Sequence, residues 1–325
     1  MFNKKEIETA YQRLQPHLKP LSLLTSDYIN TQLNADVFFQ FEGAQITGSF
    51  KVRGALNTLL TLKEQGKIPK HVVTFSSGNH AQAVAYACKK LAIPATVYIP
   101  KTASEFKIKM TRFLGAKVVV TDNRKEAECL SQQLAEQGAT FIHPYDNDDV
   151  ILGQGTSCYE ALSNGLQPDA IFAPIGGGGL ISGTFLAAQR LSPSSVIIGG
   201  EPQQANDAYQ SYIKGNIVGF NDSPNTIADG ARTLQISERT FHQIKQLDDI
   251  LLASEKEIKD WTRLLFSHLK VTVEPTSAVA MVACQKWLTR QDQKERKSVL
   301  VILSGGNIDD TTFQALWDKE HIEYM

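Results

Sequence analysis

Asp169–Arg190 reads DAIFAPIGGGGLISGTFLAAQR. A run that is apolar on both faces (DAIFAP) meets four consecutive glycines and passes straight into a helical pattern. Such a run belongs to a parallel sheet covered on both sides by helices. Five other segments read the same way: His71–Phe75 (HVVTF), Ala95–Ile99 (ATVYI), Lys117–Thr121 (KVVVT), Val196–Gly200 (VIIGG) and Ser298–Leu303 (SVLVIL). Helical stretches lie between them. One carries the apolar stripe Val84, Ala87, Cys88 and Leu91, another carries Ile108 and Arg112, and Gly115 and Gly138 stand where a helix stops and a strand begins. This alternation predicts an α/β fold. At 325 residues the chain exceeds one doubly wound sheet of average size. The expectation is therefore two open parallel-sheet lobes with the active site in the cleft. Residues 72–146 form a small domain, and residues 1–71 with 147–325 form a large one.

Composition narrows the function. With 42% hydrophobic and 21% charged residues the chain is globular, which excludes disorder, collagen and coiled coil. The net charge of −1 supplies no basic field, so nucleic acid is set aside as a partner. No apolar run approaches the ~18 residues of a membrane span. The N-terminus (MFNKKEIETA) lacks the apolar core of a signal peptide. Cys88, Cys129, Cys158 and Cys284 form no C-x-x-C pair, which argues against a disulfide framework or zinc site and for buried, reduced thiols in the cytoplasm.

Four turns at strand–helix junctions are candidates for chemistry, because open α/β sheets bind ligands at the carboxyl ends of their strands. Gly176, Gly177, Gly178 and Gly179, followed by Leu180, let backbone N–H groups converge on an anion at a helix start, and a phosphate suits that position. Neither a dinucleotide fingerprint nor a P-loop can be read there. Ser76-Ser77-Gly78-Asn79-His80 either caps the following helix or holds a substrate carboxylate. Ser304-Gly305-Gly306-Asn307 either caps the last helix or joins the site. In Gly48-Ser49-Phe50-Lys51-Val52-Arg53-Gly54-Ala55, a lysine sits at the entry to an apolar helix. Desolvation there would lower its pKa and make it an amine nucleophile.

Together the strings GSFKVRGA, SSGNHAQ, GGGGL and SGGN, in this order, resemble the fold-type II pyridoxal 5'-phosphate (PLP) enzymes. Within them the chain is similar to the threonine/serine dehydratase and serine racemase branch, from about Leu21 to Asn307, including HPYDNDDVILGQGT (His143–Thr156). The β-replacing synthases of the same fold carry a different lysine motif. The resemblance implies a tryptophan synthase β-like fold, with Lys51 holding PLP as a Schiff base and then removing the Cα proton. It implies that the glycines 176 to 179 grip the phosphate, Asn79 bonds the ring hydroxyl, Ser304 meets the pyridine nitrogen and Phe50 lies beside the ring. A neutral hydroxyl at that nitrogen would leave it largely unprotonated. Ser76, Ser77, Gly78, Asn79 and His80 would receive the substrate carboxylate. Ser77 would also be the second acid/base if the enzyme racemises. GQGT (Gly153–Thr156) reads as a helix start, and Glu274 in VEPT and Asp229 in IADGART match recurrent strings without a chemical role.

Glu201 and Asp207, with the Ala205 carbonyl between them, offer hard oxygen ligands for Mg²⁺, Mn²⁺ or Ca²⁺. They resemble the metal site of serine racemases and 3-hydroxyaspartate ammonia-lyases, although a surface glutamate and a capping aspartate would read the same. Lys101, Lys107, Lys109 and Arg112 read as the solvated face of a helix. Only 18 residues follow Asn307, so no C-terminal regulatory domain and no feedback inhibition through one are expected. The resemblance also implies a homodimer. The leading expectation is an L-threonine/L-serine ammonia-lyase acting on a small β-hydroxy amino acid. Serine racemase and 3-hydroxyaspartate ammonia-lyase are the alternatives, and a non-catalytic phosphate-binding protein is a further one.

Overall fold

The computed structural model describes residues 5–292 and 294–317. Residues 1–4 of the N-terminal stretch and 318–325 of the segment after Asn307 lie outside the described residues. Nine strands occur among the described residues: β1 (Ala35–Phe41), β2 (Val72–Phe75), β3 (Ala95–Pro100), β4 (Lys117–Thr121), β5 (Thr140–Phe141), β6 (Ala170–Pro174), β7 (Val196–Pro202), β8 (Asp249–Ala253) and β9 (Lys297–Leu303). They form one sheet in the order β1-β9-β6-β7-β8 and a second in the order β4-β3-β2-β5. Every neighbouring pair is parallel, as covering helices on both faces require.

Side-chain alternation along β6 shows why that strand had to be apolar throughout. Ala170 and Phe172 enter one core with Val279 and Val282 of the helix Pro275–Leu288. Ile171 and Ala173 enter a second core on the opposite face with Leu180 and Ile181 of the helix Gly179–Leu191. A third core joins Val72, Val84 and Val97 of the smaller sheet and its helix Asn79–Lys90 to Val52, Leu56 and Leu59 of the helix Lys51–Glu64. The lysine-bearing helix is therefore clamped to the smaller sheet's layer.

Gly153–Thr156 lies in the middle of the helix Asp148–Leu162, which corrects its reading as a helix start. The glycines there allow close packing. A Cβ on Gly155 would lie 2.4 Å from the Gly183 carbonyl oxygen, so the two helices meet backbone to backbone. Gly115 (φ +95°) and Gly138 (φ +101°) do turn the chain from helix into strand in the left-handed region. All four cysteines are free. Cys88, Cys158 and Cys284 are buried, but Cys129 is exposed, a departure from the expectation of buried thiols. No described helix is long and apolar enough to cross a membrane.

Candidate active site

The turns at Gly48, Ser76, Gly176 and Ser304 follow β1, β2, β6 and β9. Parallel pairing puts the carboxyl ends within each sheet on one edge. Two of the turns are bonded together directly: the Phe50 amide donates to the Ser304 carbonyl (3.0 Å) and the Gly306 amide to the Gly48 carbonyl (2.9 Å). Asn307 Nδ2 donates to Asn79 Oδ1 (2.9 Å), which ties in the serine turn. Gly48 has φ +71°, and a Cβ there would meet Asn307 Oδ1 at 2.4 Å, so backbone conformation and close approach both select glycine.

Neither capping alternative matches the geometry. Gly78 is the N-cap residue of the helix Asn79–Lys90, with no side-chain cap, and the last described helix, Asp310–Leu316, is capped by Asp309. Asn79 and Ser304 instead turn toward one carboxylate. Asn79 Nδ2 donates to both oxygens of Glu274 (3.2 and 2.9 Å), and Ser304 Oγ lies 3.2 Å from Oε1.

Lys51 is the first residue of its helix. Its Nζ donates to the Pro144 carbonyl (2.8 Å) and sits 4.9 Å from the centre of the Phe50 ring. Burial of the amine lowers its pKa to about 7. Glu274 opposes that shift and the Arg124 guanidinium reinforces it. A neutral amine is thus accessible at physiological pH.

The glycine turn is a cradle. Gly178 adopts φ +86° and caps the helix Gly179–Leu191, and the amides of Gly176 to Gly179 find no acceptor among the described residues. A Cβ on Gly177 would lie 2.1 Å from Tyr145 Cδ1, and the Tyr145 hydroxyl donates to the Gln235 carbonyl (3.0 Å). Unpaired amides at a helix N-terminus suit a phosphate, and a desolvated amine nearby suits an aldehyde, so these residues fit PLP. The Pro144 carbonyl accepts from Lys51 and Tyr145 covers Gly177, so this segment borders both the amine and the glycine cradle.

In the serine turn, Ser76 Oγ accepts from the Gly78 amide (3.1 Å), and Ser77 is exposed. His80 is a packing residue. Its Nε2 lies 3.0 Å from the Ile142 carbonyl, and burial lowers its pKa to about 3, so the ring stays neutral. Any contact from His80 to substrate would come from its backbone.

Two cations at this edge escaped sequence reasoning. Lys107, read as solvated, is 5% exposed and forms an ion pair with Asp229. Both residues act electrostatically on Glu274. Lys101, Lys109 and Arg112 are exposed as expected. Arg124, the first residue of the helix Arg124–Glu136, lines a cavity of about 380 Å³ with Phe75, His143 and Tyr145. Its guanidinium lies 5.6 Å from the centre of the Phe75 ring and donates to the Arg232 carbonyl (3.1 Å). Nothing in the string DNRKEA separates it from an ordinary helix start.

The carboxylates Glu201 and Asp207 are buried, so neither is the surface glutamate or simple cap of the alternative reading. Glu201 accepts from the amides of Ala208 (2.9 Å) and Tyr209 (2.7 Å). Both Asp207 oxygens lack a well-formed hydrogen bond. Burial raises both pKa values, that of Asp207 to about 7, and Asp207 pushes Glu201 up further; amides of Asp207 and Ile236 only partly ease the Asp207 carboxyl. Two buried carboxylates, of which Asp207 has both oxygens orphaned, fit a hard cation. No cluster of three or more His, Cys, Asp or Glu able to hold a metal occurs among the described residues.

Residues 14–305 match the family described as pyridoxal-phosphate dependent enzyme. The chain belongs to that family. Among its relatives, the L-threo-3-hydroxyaspartate ammonia-lyase of Saccharomyces cerevisiae is 41% identical over 314 residues, 96% of this chain and 95% of the relative. The serine racemase of Schizosaccharomyces pombe is 39% identical over 307 residues, 94% of each chain. The crystal structure of T.th. threonine deaminase superposes with a TM-score of 0.87 at 38% identity, covering 94% of this chain and 98% of that one. The two-sheet architecture is that of the fold-type II PLP enzymes.

Proposed function

We propose that this PLP-dependent enzyme is an ammonia-lyase that removes water from a β-hydroxy amino acid and releases a 2-oxo acid and ammonia, with L-threo-3-hydroxyaspartate as its best substrate. L-Serine and L-threonine meet the minimum the site demands. The position of Arg124 carries the finer reading, because a guanidinium beside the cleft can bind a second carboxylate through paired, charge-assisted hydrogen bonds.

Bound PLP supplies the electron sink that makes the Cα proton acidic and lets the β-hydroxyl depart. Lys51 holds the cofactor and, as a neutral amine, takes the Cα proton at Nζ. Gly176 to Gly179 and Leu180 present the helix N-terminus to the phosphate, while Phe50, Asn79 and Ser304 bound the ring. Ser76, Ser77 and the amides through His80 orient the α-carboxylate. Residues 72–146 are taken as the small domain that closes over the substrate, and a homodimer as the assembled form.

Kinetics on a panel of L-threo-3-hydroxyaspartate, L-serine and L-threonine test the substrate. Arg124→Gln should lower kcat/KM for hydroxyaspartate about 10- to 100-fold, the effect of losing a charged hydrogen bond of about 1.5–3 kcal/mol. L-Serine should be little affected. Equal losses on both substrates would remove Arg124 from substrate selection.

Serine racemisation is the second reading. It needs an acid/base on the face opposite Lys51, and the exposed Ser77 supports it. Ser77→Ala should abolish conversion of L- to D-serine, followed by chiral chromatography, while leaving part of the elimination. Equal survival of both reactions would dismiss the two-base scheme.

Glu201, Asp207 and the Ala205 carbonyl are proposed to hold Mg²⁺, Mn²⁺ or Ca²⁺, with water completing the shell. A cation at 100 times its Kd should stabilise the fold by about 2.7 kcal/mol, visible as a rise in Tm that chelator reverses. Asp207→Asn should erase the difference.

A further inference from the structure

Ser304 does not stand alone as a neutral hydroxyl. It is 1% exposed, as is Glu274, and its Oγ lies 3.2 Å from Glu274 Oε1 and 3.2 Å from Ser277 Oγ. Ser277 directs its own hydroxyl proton to the Gly305 carbonyl (2.8 Å) and accepts from the Gly305 amide (2.9 Å). Its oxygen is therefore an acceptor toward Ser304. The single Ser304 proton then has two claimants inside the protein, and an ionised carboxylate is the stronger.

Glu274 is held so that its ionisation decides the outcome. Asn79 Nδ2 is a donor only and covers both carboxylate oxygens. A proton on Glu274 must therefore point away from Asn79, and Ser304 Oγ beside Oε1 is the acceptor within reach. With Glu274 ionised, Ser304 gives its proton to the carboxylate and turns a lone pair to the cleft. With Glu274 protonated, Ser304 receives that proton and its own is released toward the cleft.

We propose that Glu274 acts through Ser304 as a positioning residue that shares one proton with the ring nitrogen of bound PLP. The electron sink is thereby tuned by a carboxyl group one hydroxyl removed from the ring. The inference deepens the proposed function, since it rests on the PLP nitrogen lying against Ser304. In the shift between the two forms the ring N–H bond breaks and its proton passes to Ser304 Oγ. The former Ser304 proton forms a new O–H bond on Glu274 Oε1, and the total charge is unchanged.

The surroundings keep both forms accessible. Burial pushes the Glu274 pKa up to about 7, the Asp229 carboxylate adds to the rise, and Asn79, Lys107 and Ser304 hold it back. Asp229 faces Glu274 from the 229–231 turn, Lys107 from the helix Glu105–Phe113, and Lys51 from the start of its own helix. Lys107 is paired with Asp229, so those two charges largely offset one another.

The test is 15N NMR of holoenzyme carrying PLP labelled at the ring nitrogen, followed from pH 6 to pH 9. In the wild type the signal should lie between the pyridine and pyridinium limits and move with pH. Glu274→Gln can still accept from Asn79 and permanently donates to Ser304, so its signal should stay at the pyridine limit across the range. Ser304→Ala, which breaks the relay while leaving the carboxylate in place, should also lose the pH response and serves if the Gln variant does not fold. A wild-type signal that matches both variants, in protein whose visible absorbance shows PLP bound, would overturn the relay and leave the proposed function standing. Failure of the wild type to bind PLP would bring both down.

Discussion

Lys51→Ala is expected to leave a folded protein that cannot retain PLP covalently and turns over at least about 10⁴-fold more slowly, the upper range for loss of a positioned general base. Borohydride should fix the cofactor to the wild type and not to the variant, with unchanged far-UV circular dichroism as the control for folding. The mechanism of the loss is specific to the amine. Burial lowers its pKa from 10.5 to about 7, so above pH 7 most of the population is a free nucleophile. PLP uptake by apoenzyme should therefore fall about tenfold per pH unit below 7 and level off above 8. The same shift affects stability. Between pH 7 and 10.5 the unfolded chain binds more protons at this lysine than the folded one, so its contribution rises with pH in that window and is lost as pH falls through 7. Uptake that continues to climb to pH 10 would show that the amine is not desolvated.

The largest stability effect should come from Arg53, two residues further along the same helix. Arg53 is 1% exposed and Glu42 is fully buried. Arg53 Nε donates to Glu42 (2.8 Å), its other terminus binds Glu160, and Ser157 donates to the second Glu42 oxygen (2.7 Å). Burial alone would favour the neutral guanidine, but Glu42 and Glu160 outweigh it and hold the guanidinium charged. Arg53→Met removes the cation and strands two carboxylates, at a cost of roughly 3–5 kcal/mol. That is a large share of the roughly 5–15 kcal/mol by which domains are stable. Urea unfolding should show a lower midpoint at constant slope. Adding Glu42→Gln and Glu160→Gln should recover part of the loss. A cost below about 1 kcal/mol would mean that water reaches the carboxylates.

The central strands of both sheets were legible because each is wrapped on two faces and so is apolar throughout. Of the four edge strands only β4, whose run KVVVT is β-branched, was legible; β1, β5 and β8 were not. β1 carries Asp36, which pairs with Arg296 at the surface; β5 spans two residues, and β8 is only partly buried. An edge strand covered on fewer sides needs no continuous apolar run.

The site divides in the same way. The placement of Lys51, the four glycines and the serine turns at strand–helix junctions could be read in the linear string because it depends on local backbone: a helix start, a positive φ, a row of amides. Those strings sufficed to identify the fold type and the cofactor. Lys107, Arg124 and Glu274 have surroundings that are set by segments distant in the chain. A lysine three residues into a helix is solvated or buried according to whether an aspartate 122 positions later packs on it. Ser304 reads as a neutral group until folding brings Glu274 behind it. Chain neighbours set the geometry of a turn, whereas the charge state and partner of a side chain depend on distant residues that only packing brings within hydrogen-bond range.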